Sequence, residues 1–329
     1  MLAALFFLDL LLSFAVSFSI NFDFKRIILS PMLSPLALKI FWLLVFPHVL
    51  SVILVGLSLG VSGAVLQIFL QNSLADPGLI GVSAGGSLFG FLGSFLFKFF
   101  DQSLNMIFYA FFSLMGVLAV MFFLLKLSMN FRVNKLGVAG IVLLGLGLNT
   151  CFSAIMSLFV VFLNQENLRA LMIWGLGDFQ TPSYWILLVS FVFMIFGLIF
   201  LIFNINNLDR LNFGNRAAFS MGVDLKKLKK SILISVSLLM AGAVVLAGPI
   251  GFVGLLSPHF ARFFVGSRVK ILLIVSGFFG AIWLLMADLL AQVLMQGRIP
   301  VGVICALLGG PVFILFLLRL GNFKSARAD

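Results

Sequence analysis

A helix needs about 20 consecutive apolar residues to cross the hydrocarbon of a bilayer. This sequence supplies such runs near residues 1–20, 40–69, 78–97, 104–125, 137–163, 183–203, 231–247, 250–266, 271–292 and 300–319. Little chain is left for anything outside a membrane, so residues 1–329 read as one transmembrane domain. With 63% hydrophobic and only 9% charged residues, a soluble domain would have a largely apolar surface. The class is an all-α polytopic membrane protein of about ten helices. The first run, MLAALFFLDLLLSFAVSFSI, has no basic start and no clear small-residue cleavage site. It reads as a retained span rather than a signal peptide.

The net charge of +11 would suggest nucleic acid in a soluble protein. Here it reports topology, and no nucleic acid partner is expected. With the N-terminus inside, the inner loops hold Lys126, Arg132, Lys135, Arg210, Arg216, Lys226, Lys227, Lys229, Lys230, Arg262, Arg268, Lys270, Arg319, Lys324 and Arg327. That is fifteen of the 21 Lys and Arg residues; Lys25, Arg26, Lys39, Lys98, Arg169 and Arg298 stay outside. The bias of positive charge toward the inside puts both termini in the cytoplasm. The longest polar segment, Asn204 to Lys230, is then cytoplasmic. It is long enough for one or two short surface helices, with anionic lipid as a neighbour for its lysines. Cys151 and Cys305 each stand alone in apolar sequence, which suits packing and offers no metal or redox site.

Two segments resemble each other. Gly56–Gly81 and Leu238–Gly266 each carry a small-residue helix, a Pro-containing polar interruption and a return to Gly and apolar residues. By the charge topology, the spans they follow run in opposite directions. This divides the chain into halves of about 1–165 and 166–329, the arrangement of inverted repeats with broken helices around a pathway. Gly56, Gly60, Gly63 and Ala64 share one helix face, and Gly137, Gly140, Gly145 and Gly147 recur around the fifth span. Such spacing lets helices approach closely in lipid.

The densest interruption is Gly248 to Arg262, GPIGFVGLLSPHFAR. Pro249 and Pro258 each remove a backbone donor and disfavour helix just before themselves. The carbonyls they free must face protein or water. His259 and Arg262, three residues apart, share a helix face. An arginine in mid-bilayer is costly, so Arg262 should reach the cytoplasmic edge, an aqueous cavity or the freed carbonyls.

GPIGFVGLLSPHFARFFVG resembles the signature of the FecCD family, permeases of bacterial ABC importers for iron–siderophore, haem and cobalamin-type substrates. SGAVLQIFLQNSLADPGLIGVSAGGSLFG (Ser62–Gly90) is similar to the family's other strong motif, with Gln67, Asn72, Asp76, Pro77 and Gly81 in place. IWGLGDFQTPSYW (Ile173–Trp185), LNFGNRAAFSMGV (Leu211–Val223) and RIPVGVICALLGGPVFILFLLRL (Arg298–Leu320) match further segments in the right order. The resemblance implies ten helices per subunit, a homodimer with the pathway on its two-fold axis, two cytoplasmic ATPase subunits and a periplasmic binding protein, all at the inner membrane. It implies structural roles for Gln67, Asn72, Asp76, Pro77, Gly81, Pro249, Gly251, Pro258, His259, Arg262, Pro300 and Pro311. It implies ATPase coupling through Leu211, Gly214, Asn215, Arg216, Ala217, Gly222 and Val223. Asn149, Thr150 and Ser153 lie on the fifth span, which lines the pathway in the family, and are pathway or gate candidates.

The sequence contains no GxxxxGK[ST], so it cannot bind ATP by a P-loop itself. The resemblance implies that ATP and Mg sit on the partner ATPase, and this chain is expected to bind no cofactor or metal. Where the family often has Arg-Leu-Pro-Arg before the second span, the sequence reads Val45, Phe46, Pro47, His48. Arg298 stands where a Glu usually precedes Leu-Pro-Val-Gly. Lys39, His48 and Arg298 are therefore candidates for docking the binding protein. The rival class, an ion-coupled secondary transporter, calls for several embedded carboxylates. Only Asp9 and Asp288 are clear ones. An intramembrane enzyme would need a nucleophile–base pair, HExxH or paired aspartates, and none is present. The sequence expectation is an importer permease for a metal chelate, performing no covalent chemistry.

Overall fold

The computed structural model describes residues 35–78, 81–96, 102–128, 137–160, 173, 175–179, 183–295 and 299–325. The apolar run 1–20 with Asp9, and the charges Lys25, Arg26, Lys98, Arg132, Lys135, Arg169, Arg298 and Arg327, lie outside these residues. Among the described residues every regular element is helical.

Helix α1 (Pro35–Ile40) passes through a π-helical stretch, Phe41–Val45, into α2 (Phe46–Phe69). The widening falls just ahead of Pro47, which has no N–H to donate backward. Then come α3 (Val82–Leu96), α4 (Gln102–Ser128), α5 (Gly137–Val160), α6 (Tyr184–Leu211) and the short α7 (Asn215–Ser220). The chain closes with α8 (Leu225–Ala247), α9 (Val253–Val265), α10 (Val269–Met295) and α11 (Val301–Ser325). Each of the nine described apolar runs falls on its own helix. Leu38–Phe69, Tyr184–Leu211, Leu225–Ala247 and Val269–Leu294 are long and apolar enough to cross a membrane.

One expectation changes. The run 250–266 is not a span of its own length. Helix begins only at Val253 and ends at Val265, 13 residues or roughly 20 Å, well short of about 30 Å of hydrocarbon. The cause is local. Gly248 ends α8 at φ +66°, Pro249 cannot continue the ladder, and Phe252 takes a left-handed conformation at φ +67° before α9 starts.

Helix α8 is the axis of the packing, with every residue from Leu239 to Ala247 buried. Polar bonds join it to α6: Ser235 Oγ donates to the Gly197 carbonyl (2.6 Å) and Asn204 Nδ2 to Ser231 Oγ (2.6 Å). At its start, Asp224 accepts from the backbone N–H groups of Lys226 and Lys227. That bond, Lys227 first, holds the exposed Asp224 carboxyl below its ordinary range.

Helix α2 meets α9 and α10 backbone to backbone. A Cβ on Gly60 would lie 2.2 Å from the Ser276 carbonyl oxygen, and one on Gly63 only 1.8 Å from that of Gly254. Pro258, buried inside α9, has no N–H to occupy the Gly254 carbonyl four residues back. The freed oxygen sits against the bare Cα of Gly63. Gly147 of α5 behaves otherwise: a would-be Cβ there meets nothing within 4 Å among the described residues.

Candidate functional site

The two interrupted segments foretold by the sequence meet. After α2 ends, Asn72 closes a turn, its Oδ1 accepting from Leu74 N (2.9 Å). The chain then runs back beside α2 and α9. The buried Asp76 accepts from Gly78 N (2.8 Å) through Oδ1 and from Phe252 N (3.1 Å) through Oδ2. Gln67 Nε2 donates to the carbonyl of Leu255 (3.1 Å), and Gln67 Oε1 accepts from Arg262. His259 Nδ1 donates to the same Leu255 oxygen (2.9 Å). Backbone groups left open where α2 and α9 are interrupted would be costly in lipid. Here the side chains of one interrupted segment satisfy the break in the other. Arg262 is half-buried, and its partner is the Gln67 side chain rather than a carbonyl freed by proline.

The other family-motif residues cluster around this junction with different roles. Pro77 packs against Gly254, where a Cβ would come within 2.9 Å of its ring. Gly81, at φ +80°, abuts α5 beside Gly145 and Asn149. Pro249 turns its carbonyl toward Gly177, and Gly251 is half-buried beside Gly78, with none of the described residues within 4 Å of a would-be Cβ. Pro300 is buried ahead of α11, and Pro311 is exposed within it.

The segment between α6 and α8 forms a compact lever. Gly214 (φ +106°) opens α7 and Gly222 (φ +79°) follows it, both conformations that a side chain would strain. Leu211, Ala218 and Val223 are buried, Ala217 is half-buried, and Asn215 and Arg216 are exposed. Phe213 and Phe219 stand 71% and 72% exposed on the outer side of the turn. Two bonds anchor the lever, to the ends of α2 and α9, and a third holds the end of α6 against the start of α10. Gln71 Nε2 donates to the Leu211 carbonyl (3.4 Å), Asn212 Nδ2 donates to the Ser267 carbonyl (3.1 Å), and Asp209 Oδ1 accepts from Val269 N (3.4 Å). Sequence reasoning did not single out Gln71, Asp209, Asn212 or Ser267. Their sole signal was polarity at a helix end.

On α5, Asn149 is half-buried while Thr150 and Ser153 are exposed. Thr150 Oγ1 donates back to the Leu146 carbonyl (2.8 Å), so its methyl faces outward with the hydroxyl satisfied. Among the docking candidates, Lys39 is exposed. His48 is half-buried, with its imidazole against Asp288 of α10. Arg298 lies outside the described residues. The described residues contain no group of three or more His, Cys, Asp or Glu placed to hold a metal ion.

Comparison with known proteins agrees with this architecture. The model of the FecCD transport family matches residues 1–319. The vitamin B12 import system permease protein BtuC of Vibrio cholerae is 34% identical over 287 residues, covering 87% of this chain and 85% of that protein. The iron(3+)-hydroxamate import system permease protein FhuG of Bacillus subtilis is 30% identical, covering 83% of this chain and 82% of that one. A solved structure of a transporter assigned to the metal-chelate ABC type, in an inward-facing conformation, superposes with a TM-score of 0.79 at 27% identity. It covers 97% of this chain and 98% of its own. The interlocked breaks, the anchored lever and these matches together place the chain in the FecCD transport family, as a membrane-spanning permease subunit of the ABC type.

Proposed function

We propose that this chain moves an intact metal chelate, of the iron–siderophore, ferric citrate, haem or cobalamin class, from the periplasm to the cytoplasm. Residues 1–329 act as one permease unit in the inner membrane, with both termini cytoplasmic. Two copies enclose the pathway, two ATP-binding subunits drive it, and a periplasmic binding protein supplies it. The observation that carries this reading is the lever Leu211–Val223, whose anchors reach Gln71 after α2 and Ser267 after α9. A force on the exposed Phe213 and Phe219 would therefore reach both interrupted segments at once. That is the requirement for coupling a remote ATPase to a pathway. Asn149, Thr150 and Ser153 are proposed to face the cargo. Lys39 and Arg298 are proposed to meet the binding protein.

The test is ATP hydrolysis by the full chain in nanodiscs with the ATPase and binding protein encoded beside it, adding candidate chelates one at a time. Stimulation by one loaded binding protein supports the reading and names the cargo. A chain that joins no ATPase, yet moves solute down an ion gradient, would overturn it in favour of a secondary carrier.

A further inference from the structure

At the end of α2 opposite the lever lies a polar cluster that the coupling scheme does not use. His48 Nε2 sits 3.1 and 3.2 Å from the two carboxylate oxygens of Asp288 on α10. Gln292, one turn further along α10, donates its Nε2 to Asp288 Oδ2 (2.7 Å). The Asp288 side chain is 2% exposed and that of His48 16%. Phe179, in the loop before α6, closes the site by packing edge-on to the imidazole at 5.9 Å between centroids. Next to it, Asp178 is close enough to act on both His48 and Asp288. On α11, the buried Cys305 lies near Asp288, and the start of that helix is tied to the same loop by Gly302 N–H donating to the Gly177 carbonyl (2.8 Å). Four parts of the chain therefore converge here: α2, α10, the loop around 177–179 and the start of α11.

We propose that His48 and Asp288 form a proton-holding clasp that positions α2 against α10, tightening in acid and loosening in alkali. A buried carboxylate needs a cation or a proton, because its desolvation is otherwise uncompensated. Among the described residues, His48 is the one group in contact with Asp288 that can supply either. The pair satisfies both members while the imidazole is the cation and donates to the carboxylate. Loss of that proton leaves a buried anion beside a neutral ring, with a second carboxylate, Asp178, nearby. Gln292 can stabilise that anion by one hydrogen bond but cannot neutralise it. Histidine is the side chain that releases a proton near neutral pH. Among the described residues, the polar groups within hydrogen-bond distance of His48 Nε2 are Asp288 and Gln292 from α10, and Asp178 precedes the Phe179 that packs on the ring. Helices α8 and α9 bring no described charge to it, their Lys226–Lys230 and Arg262 lying toward the lever end. An arginine at position 48 would make the same contact without the proton dependence.

The clasp belongs to the chain itself, so its test needs no ATPase and no cargo. The full chain in lipid nanodiscs is melted by tryptophan fluorescence from about pH 5.5 to 8.5, a range that brackets the ordinary titration of histidine. Wild type is expected to lose about 2–4 °C more than H48R on going to the alkaline end. In a double-mutant cycle of H48Q and D288N, the coupling should be larger at the acid end than at the alkaline end. An H48R variant that keeps the wild-type slope, or a coupling equal at both ends, overturns the proposal. Should the position 48 variants fail to fold, isotope-labelled imidazole spectra decide, since the chain has only two histidines. D288N should then move the titration of one imidazole. If it moves neither, the clasp does not exist.

Discussion

The seam between α2 and its partners α9 and α10 and the outward faces of α5 and α11 are built from the same kinds of residue. Both are rich in glycine, leucine and small polar side chains. In the seam, backbones touch: a Cβ at Gly56, Gly60 or Gly63 would lie 2.6, 2.2 and 1.8 Å from backbone atoms. On the other two helices, a Cβ at Gly147 or Gly310 would meet none of the described residues within 4 Å. Leu143 of α5 and Leu307 of α11 are 63% and 64% exposed. In water such faces would demand cover. In a bilayer lipid is as apolar as leucine, so burial alone does not drive helices together, and close packing with hydrogen bonds does. The seam therefore holds the chain together. The open helices are free to face lipid, a second copy or a cargo.

The sharpest way to break that distinction is to add side chains on each side of it. G63V should have the largest effect. The atom in the way is the Gly254 carbonyl, part of a backbone pinned by Pro258 and by the Gln67–Leu255 bond, so it cannot swing aside as a side chain would. Overpacking commonly costs about 1–3 kcal/mol. A clash with backbone should exceed that and abolish monodisperse, folded protein in size-exclusion chromatography. G310A serves as the control and should purify like wild type. Comparable yields from the two variants would mean that the seam is not the stabilising element.

The next effect comes from the polar bridge that crosses the seam. Q67A removes the donor to Leu255 and leaves the half-buried Arg262 guanidinium without its described partner. Leaving such groups unmatched costs about 1–3 kcal/mol. R262M removes the charge along with the bond and should cost less, because no cation remains to be satisfied. The double variant should be less destabilised than the sum of the two, a coupling readable as a shift in thermal midpoint. Strict additivity would show that the short Arg262–Gln67 contact contributes nothing.

Much of this architecture can be read in the sequence, for a plain reason. Lipid requires each span to be long and apolar, so every described run marks a helix. Glycine and proline mark where helices can end, and Gly248-Pro249 did locate the break ahead of α9, whereas α9 runs on through Pro258 without one. The length of α9 was misjudged because the residues of the break, Ile250 to Phe252, are as apolar as the helix that follows. The partnerships were not legible. Gln67 and Arg262 are 195 residues apart and His48 and Asp288 are 240 apart, and no local rule pairs them. Position 48 looked like a surface docking residue because it stands where an arginine was expected, and only packing shows its ring turned toward α10. Gly60 and Gly147 follow the same spacing rule, yet one is pressed against Ser276 and the other faces open space. Helical periodicity defines a face but not what the face meets.

That last pair gives the smallest effect on stability and the finest use of the comparison. G147A and T150V both lie on the open side of α5. The alanine methyl enters empty space. The valine gives up a hydrogen bond that Thr150 makes only to its own helix, at Leu146. Surface changes of this kind usually stay within about 0.5 kcal/mol, so both thermal midpoints should match wild type. If the face borders the cargo, G147L should slow uptake while leaving the midpoint unchanged, because the added bulk projects where the chelate passes. T150V, which is nearly the same size, should alter uptake far less. Were G147L instead to destabilise the protein and spare uptake, α5 would be packed at that point against a second copy or a segment outside the described residues, and the pathway would have to lie against another helix.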